Sequence, residues 1–255
     1  MNRLQSELHR LYLPRSPAQA ETDAQPSALI DPLHKVRAMV MELARPPSWE
    51  LLSRVWQGVQ GELELPAPAI AVSGVDGLQL WFSLAEPIMA SQAHAFLESL
   101  RMRFLPDIDP RRVRLMPAAD ASALQPERHA MLVPALQAQT GNWSAFVAAD
   151  LAPVFADTPW LDIAPNEEGQ ATLLRSLKVM KPAMFEDALK RLEPITTSAD
   201  APRMHPQPVT ATADEDPKCF LLRVMNDDTV ALALRIEAAK ALLQHSNHRQ
   251  PQQSD

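Results

Sequence analysis

Residues 69–84 read AIAVSGVDGLQLWFSL, and this stretch decides the fold that the sequence predicts. A short apolar run predicts one strand, the dipeptide Ser73-Gly74 predicts a turn, and a second apolar run from Leu78 predicts another strand. Because side chains alternate between the two faces of a strand, Gln79 is expected on the same face as Ser73. The sequence therefore predicts a β-hairpin with two polar side chains on one surface.

The segments on either side of this hairpin complete an alternating pattern. Upstream, the run VRAMVMEL from Val36 predicts a strand, and the residues Pro-Pro-Ser at 46–48 open a helix. Downstream, Ser91 to Phe104 predicts an amphipathic helix and Val113 to Met116 a short strand. This order is that of a split βαβ unit, as in RRM-like and ferredoxin-like domains, where two helices cover one face of a four-stranded sheet. We therefore predict an α+β fold whose second sheet face stays available.

The rest of the chain divides at Pro-rich segments of low hydrophobicity. From residue 125 onward, the segments HAMLVPALQAQ, WSAFVAADLAPVF, GQATLLRSLKVM and PAMFEDALKRL predict a helical lobe packed on the sheet. The predicted organisation is an N-terminal helix at 1–13, a linker at 14–28, an α+β domain with its helical lobe at 29–193, a Pro-rich linker at 194–217, a helical hairpin at 218–246 and a polar tail at 247–255. The two terminal helical elements are interpreted as docking motifs for a protein partner.

Composition limits the classes of function. The formal net charge of −7, from 24 basic and 31 acidic residues, predicts that the chain repels free nucleic acid unless binding is local or assisted by a partner. A single cysteine, Cys219, excludes an intrachain disulfide and a multi-cysteine zinc site. No signal-peptide pattern and no long apolar run is present, so we expect a cytoplasmic protein that does not enter a membrane. The sequence has no G-x-S-x-G, Walker or dinucleotide-binding motif, which leaves hydrolase, kinase and oxidoreductase functions without support.

Two motifs carry a resemblance to a known family. The hairpin reads SGVDGLQLW at 73–81, and a later element reads DID at 107–109 followed by VRLMP at 113–117. With the predicted layout, the segment from about residue 37 to residue 117 resembles the archaeo-eukaryotic primase superfamily. In that family the hairpin has the pattern S-G-x-x-G-[apolar]-H-[apolar]-W, and a later acid precedes an R-[apolar]-R-[apolar]-P strand. The resemblance implies a modified RRM-like sheet that positions a nucleotide.

The departures from the family pattern imply a degenerate site. The first strand of the family carries two metal-binding acids, whereas this strand offers only Glu42, and the histidine position is Gln79. Two-metal phosphoryl transfer needs several carboxylates, so no cofactor is expected unless activity survives. In that case Glu42, Asp107 and Asp109 would hold Mg²⁺ or Mn²⁺. The alternative is that both aspartates cap the turn before Pro110 and that Glu42 is solvated.

Four residues are the candidates for contact with a nucleotide or nucleic acid: Ser73, Gln79, Arg112 and Arg114. An arginine on or near a strand suits phosphate, and neutral polar side chains suit a base or sugar. The alternatives are that the arginines pair with nearby acids and that Ser73 and Gln79 are ordinary polar residues of a half-exposed sheet. The histidines His34, His94, His129 and His205 show no metal-binding spacing and are expected at the surface.

Three functional hypotheses follow. The first is a non-catalytic accessory protein of a bacterial mobile element or of DNA metabolism, which contacts single-stranded nucleic acid or a nucleotide. The C-terminal sequence MNDDTVALALRIEAAKALLQH at 225–245, which is similar to short helical segments of phage and mobile-element proteins, favours that setting. The alternatives are an active metal-dependent nucleotidyltransferase and a protein-interaction scaffold.

Overall fold

The structure, a computed structural model, describes residues 2–14, 29–121 and 128–192. Every element below belongs to one compact unit within residues 1–196, called the first unit. The predicted hairpin at 218–246, the linker before it and the tail after it lie outside the described residues, as does nearly all of the predicted linker at 14–28.

Helices and strands are interspersed along the first unit. The helices are α1 (Arg3–Leu11), α2 (Trp49–Gly61), α3 (Ala90–Phe104), α4 (Glu167–Arg175) and α5 (Pro182–Leu192). The strands are β1 (Lys35–Ala44), β2 (Ala69–Val72), β3 (Gly77–Met89), β4 (Val113–Met116) and β5 (Ala145–Val147). Within the described residues the strands form one antiparallel sheet in the order β4-β1-β3-β2-β5. The predicted α+β class is confirmed, and the predicted order from β1 to β4 is observed.

Helices α2 and α3 cover the first face of the sheet, as the apolar pattern predicts. Helix α2 begins after Ser48, whose side-chain oxygen accepts a hydrogen bond from the amide of Leu51 at 3.3 Å. The buried side of α3 includes Phe96, which contacts Phe82 of β3 edge to face with ring centroids 6.4 Å apart. The main core therefore lies between these helices and the sheet, with Met41 and its neighbours on β1 completing it.

The prediction that the second face stays available is wrong. Leu4, Leu8 and Leu11 of α1 are buried against this face, and α4 packs beside them. Trp81 of β3 is 1% exposed and lies 5.8 Å from the ring of Phe146 on β5. Two large aromatic side chains on one face need cover because their exposure to water is unfavourable. The N-terminal helix supplies part of that cover.

Arg37 of β1 fastens α1 to the sheet. Its guanidinium is fully buried and donates to the carbonyl oxygens of His9, Arg10 and Leu13 at 3.1, 2.8 and 2.9 Å. It also donates to the carbonyl oxygen of Leu84 at 3.1 Å. Carbonyl groups at the C-terminal end of a helix have no partners within the helix and carry partial negative charge. The arginine therefore satisfies these carbonyls and joins α1 to β1 and β3.

The predicted helical lobe is only partly correct. The segments GQATLLRSLKVM and PAMFEDALKRL contain α4 and α5, but HAMLVPALQAQ is irregular, and WSAFVAADLAPVF contains β5 and a short 3-10 helix, Ala152–Phe155. Pro134 interrupts the segment HAMLVPALQAQ. In the segment WSAFVAADLAPVF, hydrogen bonding along the otherwise free edge of β2 places Phe146 opposite Ala71 in the sheet. In the described part of the chain, no helix has the length and apolar character that crossing a membrane requires.

Candidate functional site

A row of polar side chains crosses three neighbouring strands on the second face of the sheet. Glu42 of β1 is directly opposite Gln79 of β3 on one side and Arg114 of β4 on the other. Direct partners in an antiparallel sheet have side chains close enough to interact. The register therefore brings one proposed metal ligand together with two proposed contact residues.

Hydrogen bonds link these side chains into a chain. Gln79 donates from Nε2 to Oε2 of Glu42 at 2.8 Å and accepts at Oε1 from the indole Nε1 of Trp81, also at 2.8 Å. Arg114 donates from Nη1 to Oε1 of Glu42 at 2.6 Å. Both carboxylate oxygens of Glu42 are therefore engaged, and Gln79 uses both ends of its amide.

Asp76 and Arg45 extend the row to the surface. The two carboxylate oxygens of Asp76 accept from Nη1 and Nη2 of Arg114, each at 3.1 Å, in a bidentate pair. The guanidinium of Arg45 lies 3.3 Å from Asp76 on its other side. The row thus begins at a buried tryptophan and ends at an arginine whose side chain is 64% exposed.

The space beside Glu42 exists because residue 77 is glycine. A Cβ atom at Gly77 would lie 2.6 Å from Oε1 of Glu42 and 2.7 Å from its Cγ. Any side chain there would displace the carboxylate from its two partners. The second glycine of the SGVDG turn therefore makes room for the pair of Glu42 and Arg114.

Ser73 has a local role in the hairpin turn. Its Oγ accepts hydrogen bonds from the amides of Val75, Asp76 and Gly77 at 3.1, 3.2 and 3.0 Å. Such contacts are typical of a serine that stabilises a turn. The hydroxyl oxygen is therefore occupied by the turn that places Asp76 beside Arg114.

The hairpin turn is covered by the segment that leads to β5. The hydroxyl of Thr140 donates to the carbonyl oxygen of Gly74 at 3.1 Å, and the amide of Gly74 donates to the carbonyl oxygen of Pro159 at 3.0 Å. Gly74 has a φ of +79°, and a Cβ atom there would lie 2.6 Å from the side chain of Gln137. A substrate therefore has no open approach to Ser73 from this side.

Burial changes the protonation of the row. Burial raises the pKa of Glu42, while the hydrogen bond from Gln79 and the guanidinium of Arg114 oppose that rise. Burial alone would lower the pKa of Arg114. The carboxylates of Glu42 and Asp76 have the larger combined effect, so the pKa of Arg114 is raised. A carboxyl group that holds its proton more strongly and whose oxygens are both engaged is a poor ligand for Mg²⁺.

The other two proposed metal ligands lie on the turn before β4. Oδ1 of Asp109 accepts from the amide of Arg111 at 2.9 Å and caps the 3-10 helix Pro110–Arg112. Asp107 is exposed on the same turn. Within residues 2–14, 29–121 and 128–192, no group of three or more His, Cys, Asp or Glu side chains is arranged to hold a metal ion. The donor set that two-metal chemistry requires does not converge here.

Arg112 is anchored beside the row. Its Nη2 donates to the carbonyl oxygen of Pro46 at 2.7 Å, and its Nε is buried without a hydrogen-bond partner among the described residues. Arg111 next to it is exposed. With Arg45 and Arg114, these residues form a cluster of four arginines at one end of the sheet, called the arginine corner below. Its neighbouring acids are Glu42, Asp76 and Asp109, with Asp107 on the same turn as Asp109.

One histidine expectation is wrong, because His129 is 5% exposed. Its Nδ1 accepts from the amide of Ala130 at 2.7 Å, which leaves Nε2 to donate to the carbonyl oxygen of Ala38 at 3.2 Å. Burial lowers the pKa of His129 to about 4. The neutral ring fixes the segment that follows residue 128 onto β1.

Three residues of the site were not predicted from the sequence: Asp76, Arg45 and Gly77. Asp76 and Gly77 lie within the quoted motif, but their role depends on the position of Arg114 in the neighbouring strand. Alternation along β1 and β3 was a usable signal, because it places Glu42 and Gln79 on one face once the register is known. For Arg45, which has a φ of +53° just after β1, the sequence offers no such signal.

A scan of the sequence against models of known protein families finds no match, and a search among curated proteins finds none either.

Proposed function

We propose that this chain is a non-catalytic accessory protein that associates with single-stranded nucleic acid, built on a degenerate, RRM-like domain related to the archaeo-eukaryotic primases. In this proposal it serves a bacterial mobile element or DNA metabolism. The order β4-β1-β3-β2 with α2 and α3 on one face supports the RRM-like part. The single observation that carries the non-catalytic part is the state of Glu42.

Glu42 is the only acid that β1 offers to a metal. It is 3% exposed, and both of its oxygens are bound by Gln79 and Arg114. In two-metal catalysis the ions must contact open, ionised carboxylates and neutralise the charge that develops on phosphate. Here a guanidinium takes the place where a cation would have to bind, which supports loss of the reaction.

The arginine corner supports association with nucleic acid. Arg45 is largely exposed, the side chain of Arg114 is 38% exposed, and Arg111 lies at the surface. The corner's four arginines stand beside four acids, so its charge is near balance, but the guanidinium groups of Arg45 and Arg111 are exposed on a chain that is negative overall. Arginine pairs well with phosphate in two-point contacts. Binding is therefore expected to be local, weak and strongly dependent on salt.

Nucleotide incorporation tests the catalytic alternative. Purified chain is incubated with a primed template, nucleotides and Mg²⁺ or Mn²⁺, beside the Glu42→Gln variant. The expected result is no extension by either protein. Extension by the wild type that Glu42→Gln abolishes contradicts the proposal and supports the nucleotidyltransferase.

A titration of labelled single-stranded DNA tests the binding. We expect binding at low salt that the Arg45→Ala/Arg111→Ala variant weakens about tenfold or more. The number of ions released on binding should fall by about one, because each phosphate contact on a single strand contributes about 0.7. Arg175→Ala/Lys181→Ala is the matched control, since it removes the same number of positive charges at exposed residues of α4 and of the segment before α5. Absence of any binding at low salt supports the scaffold alternative, which the covered second face of the sheet also favours.

A further inference from the structure

The far end of β3 has an acidic, apolar groove. The groove lies between residues 86–88 of β3 and helix α5, and encloses a cavity of about 240 Å³. Its floor is apolar and consists of Leu84, Ile88, Met180, Phe185 and Leu189. Two carboxylates line it, Glu86 and Glu186, and among the described residues no Lys, Arg or His lines it, while the exposed Lys181 lies between the lining residues Met180 and Pro182.

These carboxylates differ from most others in the first unit. Glu86 and Glu186 are both exposed, and neither has an ion pair or a hydrogen bond within the described residues. By contrast, Glu42 and Asp76 have arginine partners, and Glu98 pairs with an arginine one turn along its helix. Leu84, Met180 and Phe185 of the floor are buried, while Ile88 and Leu189 are partly exposed. The groove therefore has two free negative charges beside two partly exposed apolar side chains.

Two more exposed apolar side chains lie near this end of β3. Met89, which follows Ile88 and therefore points to the opposite face of the strand, is 40% exposed, and Leu33 is 67% exposed. Leu33 lies close to this end because the amide of Ala90 donates to the carbonyl oxygen of His34, the residue after Leu33, at 2.9 Å.

The backbone of β3 beside the groove does not favour pairing with a strand of a partner. The amide of Ala85 donates to the carbonyl oxygen of Met180, and the amide of Met180 donates to the carbonyl oxygen of Ser83, so this stretch of the edge is already paired. Two residues beyond Ala85 is Pro87, which has no amide hydrogen. Recognition must therefore come from side chains that enter the cavity, and its volume suits one or two of them rather than a drug-sized ligand.

We propose that this groove binds a basic amphipathic segment of a protein partner, with an apolar side chain on the floor and Lys or Arg beside Glu86 and Glu186. Nucleic acid is excluded as the occupant because its phosphates would meet two unpaired carboxylates. The groove lies toward the opposite end of β3 from the arginine corner, because residues 86–88 are seven to nine residues beyond Gln79, about 25–30 Å at the usual rise of a strand. The two surfaces therefore act independently.

The test uses a fluorescent 14-residue peptide with Leu at helical spacing and Lys elsewhere, titrated with the full chain by anisotropy. We expect saturable binding that Glu86→Lys/Glu186→Lys weakens at least about tenfold, because complementary charge becomes repulsion. The matched control Asp150→Lys/Asp162→Lys changes the net charge equally at exposed residues outside the groove, and less than a twofold effect is expected.

Two further measurements isolate the apolar part. Replacing every Leu of the peptide by Ser keeps its charge and should abolish binding, and Ile88→Ser on the protein should weaken binding by a similar factor. Circular dichroism of each variant checks that the fold is kept. Equal loss with both charge variants, equal binding of the Ser peptide, or no binding of the Leu peptide overturns the proposal.

Discussion

The side-chain amide of Gln170 forms two hydrogen bonds with the backbone of Phe146. Its Oε1 accepts from the amide of Phe146 at 2.7 Å, and its Nε2 donates to the carbonyl oxygen of Phe146 at 2.9 Å. Phe146 is the middle residue of β5, the last strand on its side of the sheet. A side chain from α4 thus supplies the pair of bonds that a sixth strand would make, and closes an edge that otherwise invites pairing with another chain.

The Gln170→Ala variant is expected to lower the free energy of unfolding by about 1 to 3 kcal/mol. The change leaves a buried amide and a buried carbonyl of Phe146 without partners, which costs more than the bonds contribute. Urea unfolding measures the effect. Thr172→Ala on the same helix is the control, because Thr172 is exposed and bonds only to the carbonyl of Glu168. If Gln170→Ala lowers the free energy of unfolding no more than Thr172→Ala does, water must replace Gln170 as the partner of the Phe146 amide and carbonyl.

Gly77→Ala is expected to destabilise the fold by about 1 to 3 kcal/mol, the range for overpacking a filled site. The added methyl group meets Oε1 of Glu42, which two hydrogen bonds hold in place. Gly61→Ala provides the contrast, since nothing lies within 4 Å of a Cβ atom at that end of α2. That variant should gain about 0.5 kcal/mol from helix propensity and reduced freedom of the unfolded chain. Equal midpoints for the two variants in urea would contradict the predicted crowding.

Acid is expected to destabilise the protein through His129. The folded pKa of about 4 lies below the value of 6.5 for the free side chain, so the unfolded state binds more protons between these values. Stability therefore falls as the pH drops from 7 toward 4, by roughly 2 kcal/mol at pH 5 for this one residue. Comparing urea midpoints at pH 7 and pH 5 for the wild type and His129→Gln measures the contribution. A variant that loses as much stability as the wild type over this interval assigns the effect to other groups.

The sequence predicted the elements whose signals are local. Alternation of apolar residues around Ser73 and Gly74 predicted the β2–β3 hairpin, and the segment Val113 to Met116 is β4 as predicted. β5 was missed because its three residues form a strand only through pairing with β2, which is a long-range effect. Cover of the second face by α1 was missed for the same reason. The apolar side of α1 is visible in the sequence. Nothing in the sequence indicates that Arg37 is buried and donates hydrogen bonds to the carbonyl groups at the end of α1.

The candidate site was predictable in membership but not in arrangement. Glu42, Gln79 and Arg114 were each selected, on separate grounds, as metal ligand or nucleotide contact. Their union into one hydrogen-bonded row depends on the register of three strands, and a shift by one residue would place them on opposite faces. The sequence motifs therefore identified Glu42, Gln79 and Arg114. The register of the sheet determines that these side chains bond to each other.

The pair of Glu42 and Arg114 yields the most specific prediction. Arg114→Met removes the guanidinium and leaves a buried carboxyl group with Gln79 as its remaining bonded partner. Breaking one side of a buried pair typically costs about 3 to 5 kcal/mol, and the 38% exposure of the Arg114 side chain places this pair nearer 2. The pKa of Glu42, already raised by burial, should rise further because one of the groups that lowers it is gone.

The pH dependence gives the sign of the effect. When the folded pKa of a carboxyl group exceeds the unfolded value of 4.5, the folded state binds more protons above that value, and stability falls as the pH rises through the raised pKa. Arg114→Met should therefore lose more stability between pH 5 and pH 8 than the wild type does, measured by urea unfolding. The double variant Glu42→Gln/Arg114→Met has no carboxyl group to ionise and should recover much of the loss at pH 8. A double variant as unstable as Arg114→Met at pH 8 would show that the arginine acts through packing or through Asp76 rather than through the charge of Glu42.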